Sequence, residues 1–256
     1  MSQSIAILSV VPIRAQSNHK SEQVSQLLFG ETCTVLEKSK EWRKISCDFD
    51  EYEGWVLAAQ IRDLGAKEIN SALQNIGIAL DIASTANSSD NSVPIVIGSS
   101  LPQFDGINFR IGKEKFIYNG QSIQPDQQLH VTLIEKIALK YLNAPYLWGG
   151  RSPFGIDCSG FSQVVFKCVG ISLKRDAWQQ AEEGLVIDFV ESAAIGDLAF
   201  FHNDEGKIIH VGIVLKENKI IHASGKVRID TLDHYGIFNA ETKKYSHQLK
   251  IIKRYF

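Results

Sequence analysis

The chain has 256 residues, long enough for one large domain or two small ones, and long enough to bury a true core. Its 27 Lys and Arg against 29 Asp and Glu leave a formal charge of −2, with 44% apolar and 22% charged residues. This is the composition of an ordinary folded protein, and it offers no electrostatic reason to expect nucleic acid or an anionic membrane as a partner. The longest apolar runs fall far short of the roughly 20 residues that a spanning helix needs.

In chain order, Ile5–Val10, Thr32–Glu37, Trp42–Cys47 and Gly54–Ala58 read as short strands broken by turn residues. Between the first two, Arg14 to Phe29 carries Val24, Leu27 and Leu28 and reads as a short helix or an ordered loop. The run Ile5 to Val11 lacks a positive flank and a small-residue cleavage site, so it reads as a strand and not as a secretion signal. Ile69, Ala72, Leu73, Ile76 and Leu80 share one helical face, which predicts a helix over 69–83. Ser84 to Ser92 then reads as a loop, and 93–123 as glycine-punctuated strands.

From Pro125 the pattern changes. Pro125-Asp126 offers a helix start, and Leu129, Leu133, Ile137 and Tyr141 follow at helical spacing until Pro145. Phe161, Val164, Val165 and Cys168 form a second helical stripe, closed by Gly170, which puts Cys158 in its first turn. Strands are expected at Asp197–His202, His210–Leu215 and Lys219–Ser224. Helices followed by an antiparallel sheet make an α+β arrangement. The domains expected are 1–125, with a barrel core at about 5–62 and a further helix and strands at 63–125, and 126–256.

Four dilute cysteines do not make a disulfide framework, and reduced thiols with a cytoplasmic location are expected. A thiol is nucleophilic as thiolate, and the N–H groups at a helix start favour that form and could also hold an oxyanion. Cys158 is placed for this, whereas Cys33, Cys47 and Cys168 fall on strand or stripe positions and read as buried structural residues.

A base is also needed. If Lys216-Glu217-Asn218 form a three-residue hairpin loop, Leu215 faces Lys219 and Gly212 faces His222, so His210 is a diagonal neighbour of His222 on the same face. A two-residue turn would put the two rings on opposite faces. Taken singly, each histidine reads more simply as a half-buried hydrogen-bonded residue. Beside a helix-start cysteine they read as a base, His210, and the residue that orients it, His222. His19, His130, His202, His234 and His247 show no partner pattern. There is no C-x-x-C, H-E-x-x-H or glycine-rich phosphate loop, so neither metal nor cofactor is expected.

The segments Tyr146-Leu147-Trp148-Gly149-Gly150, Gly155-Ile156-Asp157-Cys158-Ser159-Gly160-Phe161, His210-Val211-Gly212-Ile213 and Ile220-Ile221-His222-Ala223-Ser224 resemble the NlpC/P60 cysteine peptidases of bacterial cell-wall peptides. The resemblance covers about the last half of the chain. It implies a papain-like fold of helices packed on an antiparallel sheet, a Cys158-His210-His222 triad and Tyr146 beside the oxyanion.

The stretch from Ser21 to Glu31, together with Tyr52-Glu53-Gly54-Trp55-Val56, resembles the bacterial SH3-like barrels that precede this catalytic domain in enzymes cutting γ-D-glutamyl-L-diamino acid bonds. That resemblance implies a murein-derived peptide with a free N-terminal L-Ala as substrate. It assigns recognition of the amine to Glu22 and Tyr52, assisted by Asp157, Ser159 and Asp176. A role in cell-wall peptide recycling and a monomeric state are expected. Two alternatives stay open at this point: a peptidoglycan-docking amidase or acyltransferase on the same scaffold, and a wall-binding module.

Overall fold

The computed structural model describes residues 2–125 and 131–256, which form two compact units: Met1–Asp126 with Trp148–Pro153, and Gln127–Leu147 with Phe154–Phe256. Trp148–Pro153, which follows the expected start of the second domain, thus packs with the first unit.

The first unit opens with β1 (Ser2–Ala6), β2 (Val10–Arg14), β3 (Gln23–Leu28), β4 (Thr32–Ser39), β5 (Trp42–Cys47), β6 (Glu53–Leu57) and β7 (Ile61–Asp63). These make one antiparallel sheet in the order β3-β2-β6-β5-β4-β1-β7. Alternate residues, among them Val11, Ile13, Cys33, Val35, Ile45, Cys47 and Val56, point into a shared core. The free thiols of Cys33 and Cys47 are register partners within it, and burial pushes Cys33 up to about 12.

The segment that reads as a helix or loop before Phe29 ends as strand β3. Its Gln26, Leu27 and Leu28 are all buried, so apolar spacing there marks a strand covered on both faces and not a helical stripe.

The expected helix over 69–83 is also shorter than its periodicity suggests. Helix α1 (Ala66–Ala72) stops where Asn75 adopts a left-handed φ of 48°, and β8 (Gly77–Ala79) follows. Gly77 packs flat against Phe104, where an added Cβ would lie 2.6 Å from the ring. The expected loop at 84–92 contains β9 (Ala83–Asn87), which pairs with β10 (Ser92–Val96). With β11 (Ser100–Leu101), β12 (Asn108–Ile111), β13 (Glu114–Tyr118) and β14 (Ser122–Ile123), these strands build two small sheets over a core of Phe104, Phe109, Phe116 and Tyr118.

After α2 (Val131–Lys140) come β15 (Arg151–Ser152), β16 (Gly155–Ile156), α3 (Cys158–Lys167), α4 (Ala177–Gln180) and β17 (Leu185–Ile187). Asp126 and Leu129, expected at the start of α2, lie outside the described residues, as does His130. The remaining strands are β18 (Leu198–His202), β19 (Ile208–Val214), β20 (Lys219–Ser224), β21 (Lys226–Leu232), β22 (Gly236–Asn239) and β23 (Lys244–Arg254).

The sheet of the second unit runs β17-β23-β18-β19-β20-β21-β22, and a further β22–β23 pairing closes it on itself. Helix α3 packs on β19 and β20. Helices do precede the sheet, but strands dominate both units, so the α+β description fits only in part. No helix among the described residues is long and apolar enough to cross a membrane.

Candidate active site

Asp157 adopts an extended backbone and caps α3, its Oδ1 accepting from the Gly160 N–H at 2.7 Å. This makes Cys158 the first residue of the helix. Phe161, Val164, Val165 and Cys168 are all at 0% exposure, and the rest of α3 is buried too, which fixes the helix and hence its first turn. Helix α3 packs on β19, the strand that carries His210, and the backbone N–H groups of Val211 and Ser159 act on the Cys158 thiol in the direction that favours thiolate.

The hairpin has the expected register. Gly212 faces His222, Ile213 faces Ile221, and the Leu215 N–H donates to the Lys219 carbonyl across the three-residue loop. A Cβ on Gly212 would come within 2.9 Å of the His222 Cβ, so a glycine at this position leaves room for the ring. His210 Nε2 and His222 Nδ1 are hydrogen-bonded at 2.9 Å, and both residues are buried. Beyond them His222 Nε2 meets Asp230 Oδ2 at 3.0 Å, and Arg228 donates to the same carboxylate through Nε at 2.7 Å and Nη2 at 3.0 Å.

The charge state of the resting site differs from the helix-start expectation. Burial pushes the Cys158 thiol up to about 12 and Asp157 adds to the effect; the Val211 N–H, Arg175 and the Ser159 N–H pull the other way but do not outweigh it. Burial also holds His210 well below the ordinary histidine value, with His247 and His222 acting in the same direction. Both partners therefore rest neutral, and proton transfer has to accompany attack by the sulfur.

The other residues singled out from sequence are placed as follows. Tyr146 is raised to about 12, by burial first and then by Cys158 and Asp157, which puts its phenol in the electrostatic neighbourhood of the thiol. Asp157 is paired with Arg175 through Nη2–Oδ2 at 2.6 Å and Nη1–Oδ1 at 3.1 Å, and Arg175 Nη1 also donates to Ser159 Oγ at 2.9 Å. Asp176 precedes α4, and its N–H donates to Gln179 Oε1. In the first unit Glu22 is exposed and accepts the Trp148 indole N–H at 2.6 Å. Tyr52 packs on the barrel core.

Residue spacing alone gives no role to Arg175, Gln180, Arg228 and Asp230, and His247, expected to have no partner, has one. Gln180 is fully buried and ties α4 to α3 through Ser162 Oγ and the Ser159 carbonyl. His247, on β23, stacks on His210 with ring centroids 4.0 Å apart and planes 20° apart. The ligating nitrogens of His210, His222 and His247 lie within 4.8 Å of one another, spacing that could suit a metal. Lone pairs lie in the ring planes, however, and two nearly parallel stacked rings do not aim at one ion. The cluster is better suited to holding the His210 ring from its face.

Acid sensitivity follows from these rings. Burial, then His222, lowers His247 from 6.5 to about 4. Between those values the unfolded chain binds a proton that the folded chain does not, so stability rises with pH across that window and falls on acidification. His210 acts in the same direction. The urea midpoint is expected to be lower at about pH 5 than at about pH 7, and His247→Phe should flatten the difference.

Comparison with known proteins agrees with this architecture. The NlpC/P60 family model matches residues 143–246, and that of the bacterial dipeptidyl-peptidase Sh3 domain matches residues 13–61. The chain is 32% identical over 216 residues to a γ-D-glutamyl-L-lysine dipeptidyl-peptidase of Bacillus subtilis, covering 78% of this chain and 71% of that one. It is 25% identical to the protein of the same name from Bacillus cereus, over 78% of this chain and 66% of that one. A crystal structure of an NlpC/P60 family protein from Bacillus cereus superposes with a TM-score of 0.85 at 20% identity, covering 99% of both chains. With a helix-start cysteine, a hydrogen-bonded histidine pair and an SH3-like barrel ahead of them, the chain belongs to the NlpC/P60 family of cysteine peptidases.

Proposed function

We propose that this peptidase hydrolyses the γ-D-Glu–L-diamino acid bond of murein peptides that begin with a free L-Ala, releasing L-Ala-γ-D-Glu. The observation that carries the chemistry is the buried hydrogen bond between His210 on β19 and His222 on β20, the two strands on which the Cys158-bearing helix α3 packs. The sulfur attacks the scissile carbonyl as its proton passes to His210, the Cys158 backbone N–H at the helix start steadies the oxyanion with Tyr146 beside it, and His210 returns the proton to the leaving amine. Water then releases the dipeptide from the thioester.

Support for the bond specificity comes from the relatives named for γ-D-glutamyl-L-lysine cleavage and from the SH3 domain type. A requirement for a free amine implies that the stem peptide has already been detached from glycan, which fits a role in recycling.

Mass spectrometry should show cleavage of L-Ala-γ-D-Glu-L-Lys or its diaminopimelate counterpart and none of the N-acetylated peptide; cleavage of both alike would remove the basis of the reading. Among the residues assigned to the amine, Glu22 has an exposed carboxylate. Glu22→Gln replaces a charge-assisted hydrogen bond of about 1.5–3 kcal/mol with a neutral one, so KM is expected to rise about tenfold or more with kcat little changed.

A further inference from the structure

Strand β21 presents Arg228 and Asp230 on one face, two residues apart. Arg228 is the register partner of His222 on β20, and Asp230 is the diagonal neighbour. Asp230 is only 6% exposed and His222 only 1%. This is therefore a buried carboxylate with two donors aimed at it: the His222 ring, and the Arg228 guanidinium gripping both of its oxygens. Burial works against the charge on Asp230, yet the hydrogen bonds from His222 and Arg228 together keep its carboxyl below the usual range. Arg228 is held in turn by Glu241 at 3.2 Å.

An ionised carboxylate can only accept, and a neutral imidazole carries one N–H. Facing Asp230, His222 must carry its proton on Nε2. Its Nδ1 is then a bare acceptor, which the bond at 2.9 Å satisfies only if His210 carries its proton on Nε2. The remaining nitrogen of His210, Nδ1, is left with a free lone pair, as a base requires. Two hydrogen bonds in series thus carry one acceptor's demand from β21 across β20 to β19.

We propose that Asp230, held by Arg228, is a positioning residue that sets the tautomers of both histidines and so leaves His210 Nδ1 unprotonated to receive the Cys158 proton. This rests on the cysteine peptidase reading for its purpose, but not for its test. Asp230 touches neither the thiol nor the scissile bond, so its loss should lower kcat and leave KM alone.

The test uses the full chain with 15N-labelled histidine at about pH 8, above the ordinary histidine range. Long-range 1H–15N spectra of the unaltered protein should place protons on Nε2 of both His210 and His222. Asp230→Leu should abolish the single tautomer at His222 and mix the tautomers at His210. On the murein tripeptide it should lower kcat about 10- to 100-fold with KM within about twofold; the loss is smaller than for a direct partner of the base because the effect passes through one more ring. Asp230→Asn, whose amide can turn a donor toward His222 Nε2, should likewise lose the single tautomer and lower kcat.

A proton on His210 Nδ1 in the unaltered protein would overturn the proposal, even if Asp230→Leu fails to fold. Unchanged tautomers and unchanged kcat in a folded Asp230→Leu protein would do the same. Inactivity of the unaltered enzyme on the tripeptide would instead count against the proposed substrate, since the spectra need none.

Discussion

Cys158→Ser is expected to lower kcat by about 10⁴–10⁶-fold while moving the unfolding free energy by less than about 1 kcal/mol. The side chain is small, sits at the first residue of a helix whose stability comes from its buried stripe, and exchanges one chalcogen for another in an unchanged space. Catalysis loses the nucleophile itself, because a serine hydroxyl at the same place is far harder to deprotonate than a thiol and meets a base that burial has already weakened. His210→Ala should cost nearly as much alone, and the double variant little more than either, because thiol and imidazole act as one unit. Single-turnover assays with urea melts on the same preparations check this. Additive losses would show that thiol and imidazole do not act as one unit, and a serine variant retaining a tenth of the rate would show that the sulfur does not carry the reaction.

How far the site could be read without coordinates depended on where the residue spacing was unambiguous. The hairpin was legible because a three-residue loop and a period of two leave one register, and the observed partner of Gly212 is His222. Helix α3 was legible because its stripe lies on a helix buried all round and ends at Gly170, whose φ is +83°. The Arg228–Asp230 pair follows the same strand rule one hairpin further on; Val227 and Ile229 alternate with Arg228 and Asp230 in the sequence, but only the pairing of His222 with Arg228 brings the two beside the histidine.

His247 was beyond reach. It comes to His210 through closure of the sheet by β23, a pairing across the whole domain that no local pattern announces. The failures in the first unit have one cause. Over 69–83, and again in β3, apolar residues at mixed spacing satisfied a helical face, while Gly77 packed on Phe104 and burial on both faces of β3 selected strands.

Glu31→Gln is expected to destabilise the first unit by about 3–5 kcal/mol. Arg151, 2% exposed, is gripped by Glu31 through Nη1–Oε2 at 2.7 Å and Nη2–Oε1 at 3.0 Å. It also donates from Nη1 to the Gln26 carbonyl, and its backbone N–H donates to Gln26 Oε1. Burial opposes the guanidinium's charge most strongly, and only the attraction and hydrogen bonds of Glu31 together with Asp50 and Cys47 outweigh it. Taking the carboxylate's charge away leaves the buried cation to the Gln26 carbonyl and the field of Asp50.

The paired replacement Glu31→Leu with Arg151→Met removes both charges and should recover part of the loss. It should not recover all of it, because the Leu28 N–H, which donates to Glu31 Oε2 at 2.8 Å, and the Gln26 carbonyl would then lose their partners, at about 1–3 kcal/mol. Urea unfolding followed by tryptophan fluorescence reports the first unit, which holds Trp42, Trp55 and Trp148, while Trp178 lies in the second. A Glu31→Gln midpoint equal to that of the unaltered chain would mean that the pair's desolvation cancels its attraction and that the packing around Arg151, and not its charge, holds Trp148–Pro153 to the barrel.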